Sequence, residues 1–232
     1  FYRDMDSRAI AEEAVEDGRE KLGAKKIVSG DYPVILHPKA FLDLFSILMP
    51  SFLGDRVWKG KSLLETKAKA KIAPQFLTLY SDGLWESGVA TSPFDDEGSP
   101  TRKIKLLDGG TVTGFLYDNQ YGKRVGKGST GNAYGSFKGW PGISFNNFYF
   151  LPGEVPLAEM IASHEKAVYI KSLMGLHTAN ALTGDFSLGV KGHFIENGEI
   201  AYPIAGVAVA GNLLTLLEDI VTISRETESY GR

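Results

Sequence analysis

Apolar residues recur at two spacings along this chain, and the change from one to the other organises it. Ile10, Ala14, Val15, Gly18 and Leu22 repeat at helical intervals, which predicts a helix over Ser7–Leu22, capped by Asp6 or Ser7 and ended by Gly23. Tyr32–Leu36 reads as a short strand after the turn Ser29-Gly30-Asp31. Pro38 suits the first position of a helix through Phe41, Leu44, Phe45 and Leu48, because its missing N–H is not needed there. Pro50 ends or bends that helix. Ser62-Leu63-Leu64-Glu65 matches a capping box and predicts another short helix.

From Gln75 onward the spacing is mainly that of strands. Gln75–Tyr80 is the first. Lys103–Leu107 and Thr111–Tyr117 flank Asp108-Gly109-Gly110, a hairpin signal, since glycine accepts positive φ. Phe145–Leu151 is a strand, Pro156–Lys166 a helix with Leu157, Met160 and Ile161 inward, and Ala167–Leu173 a strand again. Asn197-Gly198 joins Gly192–Glu196 to Glu199–Pro203 as a second hairpin. Ile204–Ala210 is a buried-type strand, Leu213–Ile223 a helix, and Ser224–Arg232 a frayed polar tail. Helices interrupt strands without regular βαβ alternation, so the expected class is α+β: largely antiparallel sheets with helices packed at intervals. Ser92–Arg102 and Tyr121–Gly142 read as long loops suited to a surface role or a lid.

Composition narrows the classes. Of 232 residues, 43% are hydrophobic and 23% charged, as in ordinary globular proteins. Net charge is −3, so there is no global attraction to nucleic acid or an anionic membrane, and neither is expected as a partner. No run approaches the roughly 20 apolar residues of a membrane span. There is no cysteine, which excludes disulfides and thiolate zinc sites and is compatible with the cytoplasm. The chain begins with Phe1 and without an apolar signal core, and is expected to be a piece of a longer protein.

The chemistry-bearing patterns differ in weight. Gly126-Lys127-Gly128-Ser129-Thr130-Gly131 fits G-x-G-x-x-G, but a poor helix former follows, so a loop is the better reading. Ser163-His164-Glu165-Lys166 contains S-x-x-K and Ser144-Phe145-Asn146 contains S-x-N, in the wrong order for a penicillin-binding enzyme. His164-Glu165 begins a zincin-like pattern, yet the next histidine is His177, beyond that helix. Asp95-Asp96-Glu97 can hold a hard cation or, as we favour, order a turn through backbone amides. His177, Asn180, Asp185 and Ser187 form the most plausible convergent polar set. In one reading His177 and Asp185 pair as general acid and base; in the other, the Asn and Asp satisfy backbone groups at turns.

Several blocks in order resemble the TldD/PmbA family, once described as modulators of DNA gyrase and now associated with proteolysis. They are Ser92–Arg102 as an acidic loop, Ser129-Thr130-Gly131-Asn132-Ala133, Asn147–Gly153, and Gly175–Glu199 with G-x-H-x-x-N, T-G-D-F-S and I-E-N-G-E. The last block resembles the PmbA/TldE branch. The resemblance covers most of residues 1–232 as one C-terminal unit, with an N-terminal portion of the family absent. The candidate binding residues are Asp95, Asp96, Glu97, Asn132, His177, Asn180, Asp185 and Ser187. The TldD branch carries H-E-x-x-x-H on a helix and a later Cys ligand. Counting back from Ser51–Gly60, which is similar to the stretch after that motif, places Phe45-Ser46-Ile47-Leu48-Met49-Pro50 on the hexapeptide. Phe45 and Pro50 then replace the two histidines and Ser46 replaces the glutamate. No metal and no other cofactor is therefore expected. The resemblance implies a cytoplasmic, non-catalytic partner of a TldD-like protease acting on peptides, or a homodimer. Two readings compete: a hydrolase using His177 and Asp185, and a homodimeric peptide-binding module grooved by the two long loops.

Overall fold

A computed structural model describes residues 7–19, 22–86, 88–135 and 139–230. The first helix, α1 (Ser7–Arg19), is followed by β1 (Val34–Leu36) and α2 (Pro38–Leu48), which tightens into a 3-10 turn at Met49–Phe52. Then come α3 (Gly54–Trp58), β2 (Leu79–Asp82), β3 (Lys103–Asp108), β4 (Thr111–Val112), α4 (Asn119–Arg124), β5 (Ala133–Tyr134), β6 (Gly142–Ile143) and β7 (Asn147–Phe150). The chain closes with α5 (Leu157–Ala162), β8 (Lys166–Met174), β9 (Asp185–Glu196), β10 (Glu199–Asn212) and α6 (Leu213–Glu218).

Two four-stranded sheets result, ordered β1-β8-β9-β10 and β4-β3-β2-β7, with β5 and β6 paired apart. Among the described residues all strand pairs are antiparallel except β1 with β8. The class is α+β, as the sequence implies. Helix α2 carries the core between the sheets. Pro38 opens it and the His37 ring accepts the Lys39 amide at 3.3 Å, so one orphan donor of the first turn is satisfied. Its buried face, Ala40, Leu44, Phe45, Ile47 and Leu48, packs with β8 residues Val168 and Ile170 and with Leu213 and Leu217 of α6. Phe45 reaches the second sheet, meeting Phe150 of β7 edge-on at 4.9 Å. A smaller cluster on the outer face of the first sheet, Ile35, Ala167, Tyr169 and Ile195, is covered by α5.

Several expected elements differ from those observed. Helix α1 is described over Ser7–Arg19, and Val15 (55% exposed) and Leu22 (77%), two of the residues in its apolar spacing, lie in solvent. Gly23 does take a left-handed φ of 78°; the alternative cap, Asp6, lies outside the described residues. Ser62 opens no α-helix: its hydroxyl donates to the Ser51 carbonyl at 2.7 Å and accepts the Leu64 amide, leaving one 3-10 turn at Glu65–Lys67. The two segments read at Glu199–Pro203 and Ile204–Ala210 are one strand, bent by register shifts and by Gly206 at φ 67°. Helices α5 and α6 end earlier than their apolar spacing suggests. The tail is held: Arg225 donates to the Val155 carbonyl, Glu226 accepts the Leu157 amide, and Glu228 lies 3.4 Å from the His37 ring.

Candidate functional site

The acidic loop is tied down by its own carboxylates. Asp95 is 8% exposed. Its Oδ1 accepts the amides of Glu97 (3.0 Å) and Ser99 (2.8 Å), and its Oδ2 accepts that of Ala133 (3.0 Å). Asp96 accepts from the Gly135 amide at 2.7 Å and Glu97 from the Asn119 amide at 2.8 Å. Asp95 and Asp96 thus both reach the Ala133–Gly135 stretch, Asp95 also ties its own loop, and Glu97 reaches α4, so each carboxylate is engaged by backbone amides.

Asn132, 2% exposed, extends the same network. It accepts from the Thr130 hydroxyl at 2.8 Å and donates to the Ser144 carbonyl at 3.0 Å. Gly131 has a φ of 75°, and a Cβ there would sit 2.4 Å from the Pro100 carbonyl, so the two loops approach as only glycine allows. The G-x-G-x-x-G segment opens no helix; it leads into β5. Sequence reasoning missed Asn147 and Asp82, both 7% exposed. Asn147 donates to the Asp82 carbonyl and accepts the Ala90 amide, pinning the loop from β2. Asp82 accepts the Leu84 amide and faces Tyr149 and Lys103, whose ammonium lies 4.3 Å from the Tyr80 ring centre. The β2 spacing could have flagged them, because a charged residue and an amide at paired strand positions are seldom buried without purpose.

The second set lies on the β8–β9 turn. His177 sits in a 3-10 turn, Leu176–Thr178, that packs on α2. Its ring is exposed. Among the described residues no hydrogen bond or ion pair joins it to Asp185. Asp185 instead accepts from the Asn212 amide group at 2.9 Å. That bond, with a second contribution from Thr183, holds its carboxyl below the ordinary 3.8. Of the two readings, the pairing of His177 with Asp185 is not seen among the described residues: the carboxylate is aimed across the sheet at Asn212 of β10, and Asn180 and Asp185 serve the turn. Asn180 Oδ1 accepts the Leu182 and Thr183 amides, an Asx turn that shapes the hairpin. The exposed Ser187 receives the Thr178 hydroxyl only at its carbonyl, at 3.4 Å.

A depressed carboxyl pKa stabilises the fold above the unfolded value and loses that effect as pH falls through the lower folded value. Asn212→Ala is therefore expected to return the Asp185 carboxyl toward 3.8, read by a carbon-detected NMR titration of its side chain below pH 5. An unmoved midpoint would mean that Asn212 does not set it.

The hexapeptide positions fall on α2 and the turn after it. Phe45 is buried, Ser46 is exposed with its hydroxyl on the Asp43 carbonyl at 2.6 Å, and Pro50 is half-buried in the 3-10 turn. Asp43, just before them, has its carboxyl pushed above the ordinary range by burial, with Lys39 opposing. A phenyl and a prolyl ring supply no lone pair for Zn²⁺, and a serine hydroxyl is no carboxylate base, so this donor set does not fit the ion. Among the described residues no group of three or more His, Cys, Asp or Glu could hold a metal. No helix among them is long and apolar enough to cross a membrane.

Residues 29–232 match the model of the PmbA/TldA metallopeptidase C-terminal domain. An uncharacterized protein of Methanocaldococcus jannaschii is 30% identical over 93% of this chain and 51% of its own length. A protein of Escherichia coli O157:H7 named metalloprotease PmbA is 29% identical over 90% and 44%. Among solved structures, TldE from Thermococcus kodakarensis is similar with a TM-score of 0.87 at 31% identity, over 96% of this chain and 51% of that one. A candidate modulator of a DNA gyrase from Thermotoga maritima gives 0.89 at 32%, with the same coverage. The chain spans about half the length of these relatives. With its acidic loop, its S-T-G-N-A segment and this fold, the chain belongs to the PmbA/TldD family and carries that family's C-terminal domain.

Proposed function

We propose that this chain is the C-terminal part of a PmbA/TldE-type subunit that has no zinc chemistry of its own and supports a TldD-like metalloprotease in peptide processing or degradation in the cytoplasm. The observation that carries the reading is Phe45: where the resemblance places a metal-binding histidine, a buried phenyl ring packs against Phe150 and joins two sheets. Neighbouring Ser46 and Pro50 offer no replacement for a glutamate and a second histidine. The family of the chain supports the link to proteolysis, and its likeness to a TldE structure supports a partner subunit.

A second reading, a peptidase active alone, is favoured by the name metalloprotease that the Escherichia coli relative bears. The separation of His177 from Asp185 speaks against it. The test is co-purification of the protein bearing this domain with a TldD-like chain, followed by digestion of a peptide library. Cleavage by the mixture that is lost when zinc is removed from the TldD-like chain, with none by this protein alone, is the expected result. Zinc bound one-to-one by this protein alone, or digestion that persists alone and is lost in His177→Ala, overturns it.

A further inference from the structure

A concentrated positive face lies apart from the His177–Asp185 set and borders the acidic loop, whose Glu97 accepts the Asn119 amide at the start of α4. Residues 54–61 (GDRVWKGK) and 119–128 (NQYGKRVGKG) hold six cations, Arg56, Lys59, Lys61, Lys123, Arg124 and Lys127, and a single acid, Asp55. The chain as a whole is at −3, so this charge is gathered against the global balance. Helices α3 and α4 pack on each other and bring the two segments together. Among the described residues only Lys59 of the six has a carboxylate partner, Asp55 at 2.9 Å. Three further carboxylates stand at the border: Glu65 beside Gly60, Glu97 on the Asn119 amide, and the buried Asp118, which caps α4 through the Tyr121 amide.

The platform is closely packed. A Cβ on Gly54 would lie 2.2 Å from the Tyr117 ring, and one on Gly122 would lie 2.1 Å from the Gly128 carbonyl, so both helices sit at glycine-only contact distance. Its cations are aimed by aromatic rings. The Arg124 guanidinium lies 5.5 Å from the Trp58 ring centre and 5.4 Å from that of Tyr121, while Lys59 covers Tyr121 at 5.3 Å. Trp58 remains 52% exposed beside them. Like charges held this close on a fixed surface repel one another, a cost that an anionic partner removes.

We infer that the α3–α4 face docks an acidic peptide segment. Its carboxylates meet Arg56, Lys61, Arg124 and Lys127, and a neighbouring aromatic side chain rests on the open part of Trp58. Arginine forks suit carboxylates, and rings beside them supply the apolar half of the contact. A short peptide is favoured over nucleic acid by range. The field of a surface charge decays over about 10 Å at 0.1 M salt, so a short segment feels the patch alone, whereas a polynucleotide extends beyond it over a chain whose net charge is −3. This inference stands apart from the loss of zinc chemistry and holds whether or not the chain is catalytic.

The test is fluorescence anisotropy of a fluorescein-labelled, Glu-rich peptide containing one Phe, titrated with this chain at low salt. Binding is expected, weakening with added salt and falling at least about tenfold in Arg124→Glu/Lys127→Glu. Trp58→Ala is expected to weaken it several-fold while keeping the salt dependence. Circular dichroism and thermal midpoints check that each variant folds; Lys61→Glu, outside α4, serves if the double variant does not. No binding by the unaltered chain, equal binding by folded charge-reversed variants, or tighter binding of a labelled oligothymidine than of the peptide overturns the inference.

Discussion

Phe45→Ala is expected to destabilise this chain by about 3–5 kcal/mol, because it removes a ring from the point where α2 meets both sheets. Phe45 is 2% exposed. It contacts Phe150 edge-on at 4.9 Å and lies near Phe41 and Phe52 at 6.1 and 6.2 Å. The loss combines the transfer energy of the ring with the cavity left among side chains fixed by helix and strand, which cannot collapse into it. For a chain of this size each kcal/mol lowers the thermal midpoint by roughly 2–4 °C, so a drop on the order of 10 °C is expected. Ser46→Ala is the internal control. Its hydroxyl reaches only the Asp43 carbonyl of its own helix and faces water, so a change within about 0.5 kcal/mol is expected. Phe45→His is expected to cost stability as well, since a buried imidazole finds no partner among these rings, and to take up no zinc. Urea unfolding of the three variants separates the outcomes. A Phe45→Ala protein as stable as the original would mean that the phenyl ring is not a core element, and the reading of a filled metal cleft would lose its support.

The sequence made α2 legible because every signal agreed there: Pro38 at the start, Pro50 beyond the end, and an apolar face between them. The two hairpins were legible for the same reason. Gly109, Gly110, Asn197 and Gly198 all adopt the positive φ their turns require. What failed was spacing without a partner. The apolar period of α1 predicts a buried face, but Val15 meets solvent, because periodicity says which residues share a side and not what lies opposite. Helix α4 falls largely in a segment that reads as a loop, since NQYGKR has no apolar stripe; what starts it is a cap, the buried Asp118 accepting the Tyr121 amide at 2.7 Å. His177 and Asp185 lie eight positions apart around a turn. Pairing them from sequence overlooked that the Asp185 carboxylate could reach the neighbouring strand and find Asn212. The positive face is invisible to net charge for a related reason: it joins segments some sixty residues apart whose cations cancel against acids elsewhere.

Asp95→Asn is expected to cost nearly as much as Asp95→Ala, and this comparison decides what the acidic loop is for. The carboxylate divides its work: Oδ1 takes the Glu97 and Ser99 amides, and Oδ2 takes Ala133, the buried one of the three bonds. Alanine abandons all three donors, for an expected loss of about 3 kcal/mol. Asparagine keeps an oxygen for Glu97 and Ser99 but turns an N–H₂ toward the Ala133 N–H. A donor then faces a donor where no water can intervene, and about 2 kcal/mol is lost despite the matching shape. Flipping the amide rescues Ala133 at the expense of the other two. Asp96→Asn is expected to matter less, because its bond among the described residues, to the Gly135 amide, is exposed to solvent. Urea unfolding measures the stability, and limited proteolysis between residues 92 and 102 reports whether the loop has come loose. If Asp95→Asn were instead neutral in both assays, the charge would not be serving the backbone, and a cation or ligand for Asp95 would become the better account of its burial.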